Sequence, residues 1–181
     1  MEKKRRLSIL VEGGVMIALA TVLSMIKLLD MPYGGSITAL SMLPILVFAY
    51  RHGLKWGLLA GFADGLIQLI LGTSAIAGIS WQATVCAVLF DYLLAFTALA
   101  AAALFRGKRW GFVAGVVLGI FLRFVCHYIT GVTIWSVYAP EGQSAFLYSL
   151  LYNGGYMGVE LVTHTVAALL LSGTALKRYL K

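Results

Sequence analysis

Charged side chains are scarce in this chain of 181 residues. Asp, Glu, Lys and Arg make up 12% of it, whereas soluble domains carry about 25%. Hydrophobic residues make up 61%, and a soluble domain of this size needs a largely polar surface that such a composition cannot supply. The composition therefore excludes a soluble enzyme and a disordered chain, and it indicates an integral membrane protein.

Acidic residues are especially few, with 7 Asp and Glu against 14 Lys and Arg. Such an excess of positive charge would suit a nucleic-acid partner if the basic residues shared one solvated face. Instead, 12 of the 14 fall in short clusters between long apolar stretches, at 3–6, 51–55, 106–109 and 177–181. This spacing is typical of membrane proteins, and we expect no nucleic-acid partner.

Two kinds of chemical motif are also missing. The 2 cysteines, Cys86 and Cys126, have no ligand-like spacing, so we expect neither a disulfide nor a metal site. The sequence has no G-x-x-x-x-G-K-[ST] motif, so the chain is not expected to hydrolyse ATP through a phosphate-binding loop.

Six apolar stretches are long enough, or nearly so, for transmembrane helices, which need about 20 residues. They cover 7–29, 37–50, 55–72, 82–105, 110–134 and 145–176. The second is short and contains Pro44, so we expect it to be tilted, kinked or partly extended. The predicted fold is an all-α membrane protein, a single six-helix bundle that comprises residues 1–181 as one domain.

The basic clusters predict how this bundle lies in the lipid bilayer. With the N-terminus inside, all four clusters lie inside, and so does the C-terminus. The opposite loops, 30–36, 72–81 and 135–144, contain no Lys or Arg. We therefore expect a multi-pass protein of the cell membrane with both termini inside.

Polar residues within apolar spans are costly and are candidates for function. Asp91, Asn153 and the helical neighbours Arg123 and His127 lie at one depth, toward the outer side. If they converge, they form a pocket that opens outward. Structural readings remain open: an ion pair between Asp91 and Arg123, a packing role for His127, and a helix kink or close helix approach at Asn153 and the glycines after it.

Aromatic residues concentrate at the same level. They are Tyr33, Trp81, Tyr92, Trp135, Tyr138, Tyr148, Tyr152 and Tyr156. Trp and Tyr collect at membrane interfaces in any case, but aromatic rings beside a carboxylate also suit a flat, cationic heterocycle.

Two further patterns have open readings. Glu160 and His164 lie one helical turn apart and could satisfy each other or relay protons. The first helix has small residues at helical spacing, Gly14 with Ala18 and Ala20 with Ser24. Such a face packs closely against another helix, either within the bundle or on a partner protein.

Several motifs together resemble a known family. They are F-D-Y-L at 90–93, R-F-V-C-H-Y-I-T-G at 123–131, W-S-V-Y-A at 135–139 and Y-S-L-L-Y-N-G at 148–154, with P-Y-G-G-S at 32–36 and M-L-P-I at 42–45. Over nearly its whole length, the chain is similar to the thiamine-specific S-components of energy-coupling-factor (ECF) transporters. These are six-helix membrane proteins that bind thiamine from outside and pass it to a shared module of one coupling membrane protein and two ATPases.

The resemblance implies a binding protein with no catalytic residue and no cofactor. Asp91 would face the cationic ligand or hydrogen-bond its aminopyrimidine, and His127 and Trp135 would stack on its rings. Tyr148 and Asn153 would hydrogen-bond the pyrimidine edge.

The remaining implied positions lie around these. Tyr92 and Arg123 would lie near the hydroxyethyl tail. This chain has Gly35 where some members have tryptophan, so either another ring, such as Trp81 or Tyr33, would close the lid or the affinity would be lower.

The resemblance also implies a docking surface. Gly14 and Ala18 match the small-residue motif with which the family docks its coupling protein. Other readings are an S-component for another small heterocycle such as a thiamine precursor, a proton-coupled carrier using Glu160 and His164, and a small membrane enzyme using Asp91 and His127 as acid and base.

Overall fold

The computed structural model describes residues 2–174 and 180, apart from the side chain of Tyr33. Its elements, in chain order, are α1 (Glu2–Met25), β1 (Lys27–Asp30), β2 (Ser36–Thr38), α2 (Leu43–His52), α3 (Leu54–Leu71), α4 (Trp81–Phe105), α5 (Gly111–Thr133) and α6 (Ala145–Gly173). Five of these helices, all except α2, are long and apolar enough to cross a membrane. The protein is thus a mostly helical membrane protein.

The first difference from the predicted spans is a β-hairpin. Helix α1 ends at Met25 instead of continuing to residue 29, and β1 pairs antiparallel with β2. The segment between the strands contains Pro32 and Gly34, both poor helix formers, and Gly34 has a φ of +112°, which suits a residue without Cβ. Pro32–Gly34 forms a single 3₁₀ turn instead.

The second difference is the length of α2. The expected span over 37–50 is wrong in its first part, because residues 36–38 form β2 and the helix begins only at Leu43. Ten helical residues cover about 15 Å, half of the apolar thickness of a bilayer, about 30 Å. Helix α2 is instead the centre of the core, where Ile45, Leu46 and Ala49 have no exposed surface.

Close contacts between α4 and its neighbours α3 and α5 depend on glycine. A Cβ on Gly61 of α3 would lie 2.5 Å from the carbonyl oxygen of Phe96, and one on Gly115 of α5 would lie 2.5 Å from that of Ala102. Helix α4 therefore packs with its backbone directly against both neighbours.

Helix α4 changes its winding along its length. It is α-helical over Trp81–Ala87, π-helical over Val88–Leu94 and 3₁₀-helical over Ala98–Phe105. π-Helical turns occur frequently at functional sites. The other predicted spans, 55–72, 82–105, 110–134 and 145–176, agree with α3 to α6 within three residues, and residues 175–176 lie outside the described part.

Polar side chains join three elements at one end of the bundle, here called the basic end. Glu12 of α1 forms ion pairs with Arg51 and His52 of α2, the latter at 3.0 Å. Arg106, in the turn between α4 and α5, donates a hydrogen bond of 2.6 Å to the carbonyl oxygen of Arg51. The basic clusters at 51–55 and 106–109 thus meet at the same end.

The two small-residue pairs of α1 differ in their surroundings. Ala20 is 1% exposed and packs in the core, and Gly13 faces the ring of Phe48, 3.0 Å from an added Cβ. Gly14 and Ala18 are both exposed, and nothing lies within 4 Å of a Cβ on Gly14. Their face is therefore free of contacts within the described bundle.

Candidate binding site

A cavity of about 490 Å³ lies between the long helices and the β-hairpin, at the end of the bundle away from the basic end. Its size falls in the range of about 300–1,000 Å³ typical of small-molecule sites. Seven of the nine predicted binding residues line it, namely Asp91, Tyr92, Arg123, His127, Trp135, Tyr148 and Asn153. The structure thus brings together residues from α4, α5, α6 and the turn after α5.

Asp91 is the centre of a hydrogen-bond network on one wall of this cavity. One carboxylate oxygen accepts from Nδ1 of His127 at 2.8 Å and from the hydroxyl of Thr130 at 2.5 Å. The other accepts from the indole N–H of Trp135 at 2.9 Å. Because a carboxylate only accepts, Nδ1 of His127 carries the proton.

This network orients two rings toward the cavity. His127 and Trp135 are each held at one ring nitrogen, which fixes their planes beside the carboxylate. Nε2 of His127 is buried and has no hydrogen-bond partner among the described residues. A buried polar atom without a partner is costly, and here it belongs to a residue that lines the cavity.

Arg123 lines the cavity without joining Asp91. Its guanidinium lies over the ring of Phe96, 3.8 Å from the centroid, a cation–π arrangement. Within residues 2–174 and 180, Arg123 forms no ion pair, and its Nε and Nη1 are buried without a hydrogen-bond partner. The Asp91–Arg123 ion pair left open by the sequence is therefore absent from the described residues.

The amide of Asn153 is engaged within the protein. Its Nδ2 donates to the carbonyl oxygen of His127 and to the hydroxyl of Ser149, both at 3.1 Å. Its Oδ1 accepts from the hydroxyl of Tyr156 at 3.1 Å. Asn153 thus joins α6 to α5 beside the cavity. Its Oδ1 has a second lone pair, which can accept one hydrogen bond from a ligand.

This joint between α5 and α6 requires glycine at position 131. A Cβ there would lie 2.2 Å from Oγ of Ser149 and 2.6 Å from Nδ2 of Asn153. We expect Gly131→Ala to destabilise the protein by about 1–3 kcal/mol, the usual effect of overpacking, measured as a lower unfolding temperature in detergent. Gly154→Ala is the control, because its Cβ would meet only Phe124 at 4.0 Å. Equal stability of the two variants would contradict this contact.

Three tyrosines of α6 form the wall below the hairpin. The rings of Tyr148 and Tyr152 stack with centroids 5.7 Å apart, and those of Tyr152 and Tyr156 meet edge to face at 6.0 Å. The hydroxyl of Tyr152 donates to the carbonyl oxygen of Pro32 and accepts from the N–H of Gly35 at 3.2 Å. The hairpin turn is thus attached to this wall.

Gly35 is also sterically required in this arrangement. A Cβ on Gly35 would lie 2.9 Å from the ring of Tyr156. A larger side chain, such as tryptophan, would push the hairpin away from the wall.

Glu160 attaches the second strand of the hairpin to α6. Its Oε1 accepts from the backbone N–H and the hydroxyl of Thr38, at 2.6 and 2.8 Å. Its Oε2 lies 3.1 Å from Nδ1 of His164. Glu160 is 2% exposed and Thr38 is 9% exposed, so this contact fixes the hairpin through a buried carboxylate.

The two remaining predicted residues are Trp81 and Tyr33, and the hydroxyl of Tyr92 is engaged within the protein. Trp81 is 72% exposed as the first residue of α4 and does not line the cavity, so the expected lid role is not supported there. The side chain of Tyr33 lies outside the described part. Tyr92 lines the cavity, but its hydroxyl donates to the carbonyl oxygen of Gly72 at 3.1 Å.

Sequence reasoning missed Thr130 and Phe96. Thr130 follows His127 by three residues on the same helix, so helical spacing was the available signal. Phe96 had no signal, because its contact with Arg123 depends on how α4 and α5 pack. Among residues 2–174 and 180, no group of three or more His, Cys, Asp or Glu could hold a metal ion.

The fold and the site define a multi-pass helical membrane protein with a cavity that is lined by aromatic rings and by the carboxylates of Asp91 and Glu160. A family model described as thiamine transporter protein matches residues 10–180. The chain therefore belongs to this family, which consists of transport proteins and not enzymes, as expected from the sequence.

Individual relatives agree with this assignment. Thiamine transporter ThiT of Bacillus subtilis is 32% identical over 190 residues, which cover 97% of this chain and 95% of the relative. ThiT of Lacticaseibacillus paracasei is 32% identical over 172 residues, or 86% and 82% of the two chains. The solved structure of ThiT from Listeria monocytogenes superimposes with a TM-score of 0.81 at 26% identity, covering 97% of this chain and 98% of that one.

Proposed function

We propose that this chain is the thiamine-binding subunit of an ECF-type importer and that thiamine binds in the cavity around Asp91. The names of the relatives support thiamine transport. The observation that carries the proposal is the carboxylate of Asp91, which holds His127 and Trp135 at one wall of the 490 Å³ cavity.

The chemistry of the cavity suits thiamine, which has a cationic thiazolium ring and a flat aminopyrimidine. The carboxylate of Asp91 attracts the positive charge, and the rings of His127 and Trp135 stack on the heterocycles. Tyr148 and the second lone pair of Asn153 Oδ1 form hydrogen bonds with the edge of the pyrimidine. Arg123 has no hydrogen-bond partner at Nε and Nη1 among the described residues, so these atoms can donate hydrogen bonds to the hydroxyethyl tail.

The proposed topology keeps six membrane segments in one domain. Helix α2 and the hairpin together form the second segment, with α2 in one half of the bilayer and the hairpin in the other. The basic end faces inside, following the positive-inside rule, so both termini are inside and the cavity opens outside.

Transport requires an energy source from partner proteins. The sequence has no G-x-x-x-x-G-K-[ST] phosphate-binding loop, so we assign ATP hydrolysis to two ABC-type ATPases that act through a coupling membrane protein. The exposed face of α1 with Gly14 and Ala18 supports such docking, because small residues allow another helix to approach closely.

Fluorescence titration of the purified protein tests the ligand. We expect thiamine to quench tryptophan fluorescence with a Kd of about 1 μM or less, because one of its rings stacks on Trp135. Trp135→Phe should remove most of this quenching, whereas Trp81→Phe should keep it, since Trp81 lies outside the cavity. Absence of binding, or equal affinity for riboflavin, would contradict the proposal.

A further inference from the structure

We propose a second binding site, at the basic end, for the phosphate-bearing headgroup of an anionic membrane lipid. A cavity of about 390 Å³ lies there, and its lining includes Tyr50, Arg106, Lys108, Arg109, Phe112 and Ser172. It is separate from the cavity around Asp91, with which it shares no lining residue.

The turn between α4 and α5 concentrates positive charge at this cavity. Gly107 has a φ of +79°, a backbone conformation that residues with a Cβ rarely adopt. This tight turn places Arg106, Lys108 and Arg109 around one opening. Three cations within four residues repel one another unless an anion lies between them.

The protein supplies no such anion among its described residues. Among the described residues, the carboxylates of the basic end are already paired, Glu2 with Arg6 and Glu12 with Arg51 and His52. No ion pair in the described part of the chain includes Arg106, Lys108 or Arg109. Among the described residues, Arg106 donates a hydrogen bond to a neutral carbonyl oxygen, that of Arg51.

The surroundings of the cavity favour a lipid over a free phosphate ion. Leu104 and Trp110, on either side of the turn, are each 55% exposed. The charged groups of Lys108 and Arg109 lie 5.1 and 5.9 Å from the ring centroids of Phe105 and Trp110. Cations bordering exposed apolar side chains match the boundary between headgroups and acyl chains, where basic pockets between helices bind anionic lipids.

Native mass spectrometry of the purified full chain tests this site. The probes are phosphatidylglycerol and phosphatidylcholine with identical acyl chains. We expect one phosphatidylglycerol to be retained in preference to phosphatidylcholine. Lys108→Gln combined with Arg109→Gln should weaken this retention by roughly thirtyfold, since each cation near an anionic lipid surface contributes about fivefold.

The matched control removes the same charge elsewhere at the basic end. The control variant combines Lys3→Gln with Lys4→Gln, which alters two exposed cations at the start of α1 that do not line the cavity. We expect this variant to retain phosphatidylglycerol as well as the unchanged protein does. Thiamine titration of each variant shows that the protein is folded.

Several results would overturn the proposal. Equal retention of the two lipids, or equal losses in the two double variants, would leave only unspecific attraction. Thermal protection by inorganic phosphate at low millimolar concentration, without preference for phosphatidylglycerol, would assign the cavity to a free anion. Unchanged lipid retention in the Lys108/Arg109 variant, together with lost co-purification of the coupling proteins, would assign it to a protein partner.

Discussion

Asp91→Asn is expected to weaken thiamine binding by about thirtyfold or more. Removing one member of a buried charge pair in a binding site costs about 2–5 kcal/mol, and each 1.4 kcal/mol corresponds to a tenfold change in Kd. Isothermal titration of the purified variant measures the change. Among the predicted substitutions of single cavity residues, this one has the largest expected effect on binding.

The structure adds a second reason for this expectation. The Asp91 carboxylate accepts all three of its hydrogen bonds, from His127, Thr130 and Trp135. An asparagine has one acceptor oxygen and an NH₂ group that only donates. Asparagine therefore cannot accept from all three donors in their present positions, and the hydrogen-bond network that orients the two rings has to rearrange.

A neutral ligand separates these two effects. A pyrimidine analogue without the thiazolium charge should lose only about tenfold in affinity, the usual effect of one hydrogen bond, whereas thiamine loses far more. Glu141→Gln is the matched control, because it removes one exposed carboxylate from the 135–144 segment and should leave both affinities unchanged. Equal losses for thiamine and the neutral analogue would contradict a charge contact at Asp91.

Gly14→Leu is expected to reduce thiamine uptake by about tenfold or more while leaving thiamine binding unchanged. The added side chain enters open space, since nothing in the described chain lies within 4 Å of a Cβ at Gly14. The bundle therefore keeps its packing, but a partner helix can no longer approach closely. Uptake is measured in cells that contain the ECF module, and binding is measured on the purified variant.

Two other glycines serve as controls for this substitution. Gly158→Leu adds the same side chain to an exposed position of α6, also with nothing within 4 Å, and uptake should persist. Gly13→Leu places it against Phe48, 3.0 Å from the Cβ, and should destabilise the protein itself.

The controls also define what would count against the docking surface. Lost binding in Gly14→Leu would show that this face belongs to the bundle. Full uptake in Gly14→Leu, or an equal loss in Gly158→Leu, would show that α1 does not dock the partner through this face.

The helical segments could be predicted from apolar runs because a bilayer requires about 20 apolar residues per helix. This rule works for α1 and α3 to α6, which the structure shows as long helices. It fails over 27–38, because leucine and isoleucine are equally acceptable in a short strand and in a membrane helix. The hairpin depends instead on Pro32 and Gly34, and on Glu160, which lies more than a hundred residues away and binds Thr38.

Sequence alone determined that the protein belongs in a membrane and that loops with basic residues alternate with loops without them, and it predicted that Asp91, Arg123, His127 and Asn153 lie at one depth. Depth follows from the position of a residue along its helix, so a single chain is sufficient to read it. The rotation of each helix about its axis depends on packing with its neighbours. For this reason only the tertiary structure decided that Asp91 holds Trp135, His127 and Thr130, that Arg123 lies on Phe96 instead, that Trp81 faces away, and that Gly14 is exposed while Gly13 is buried.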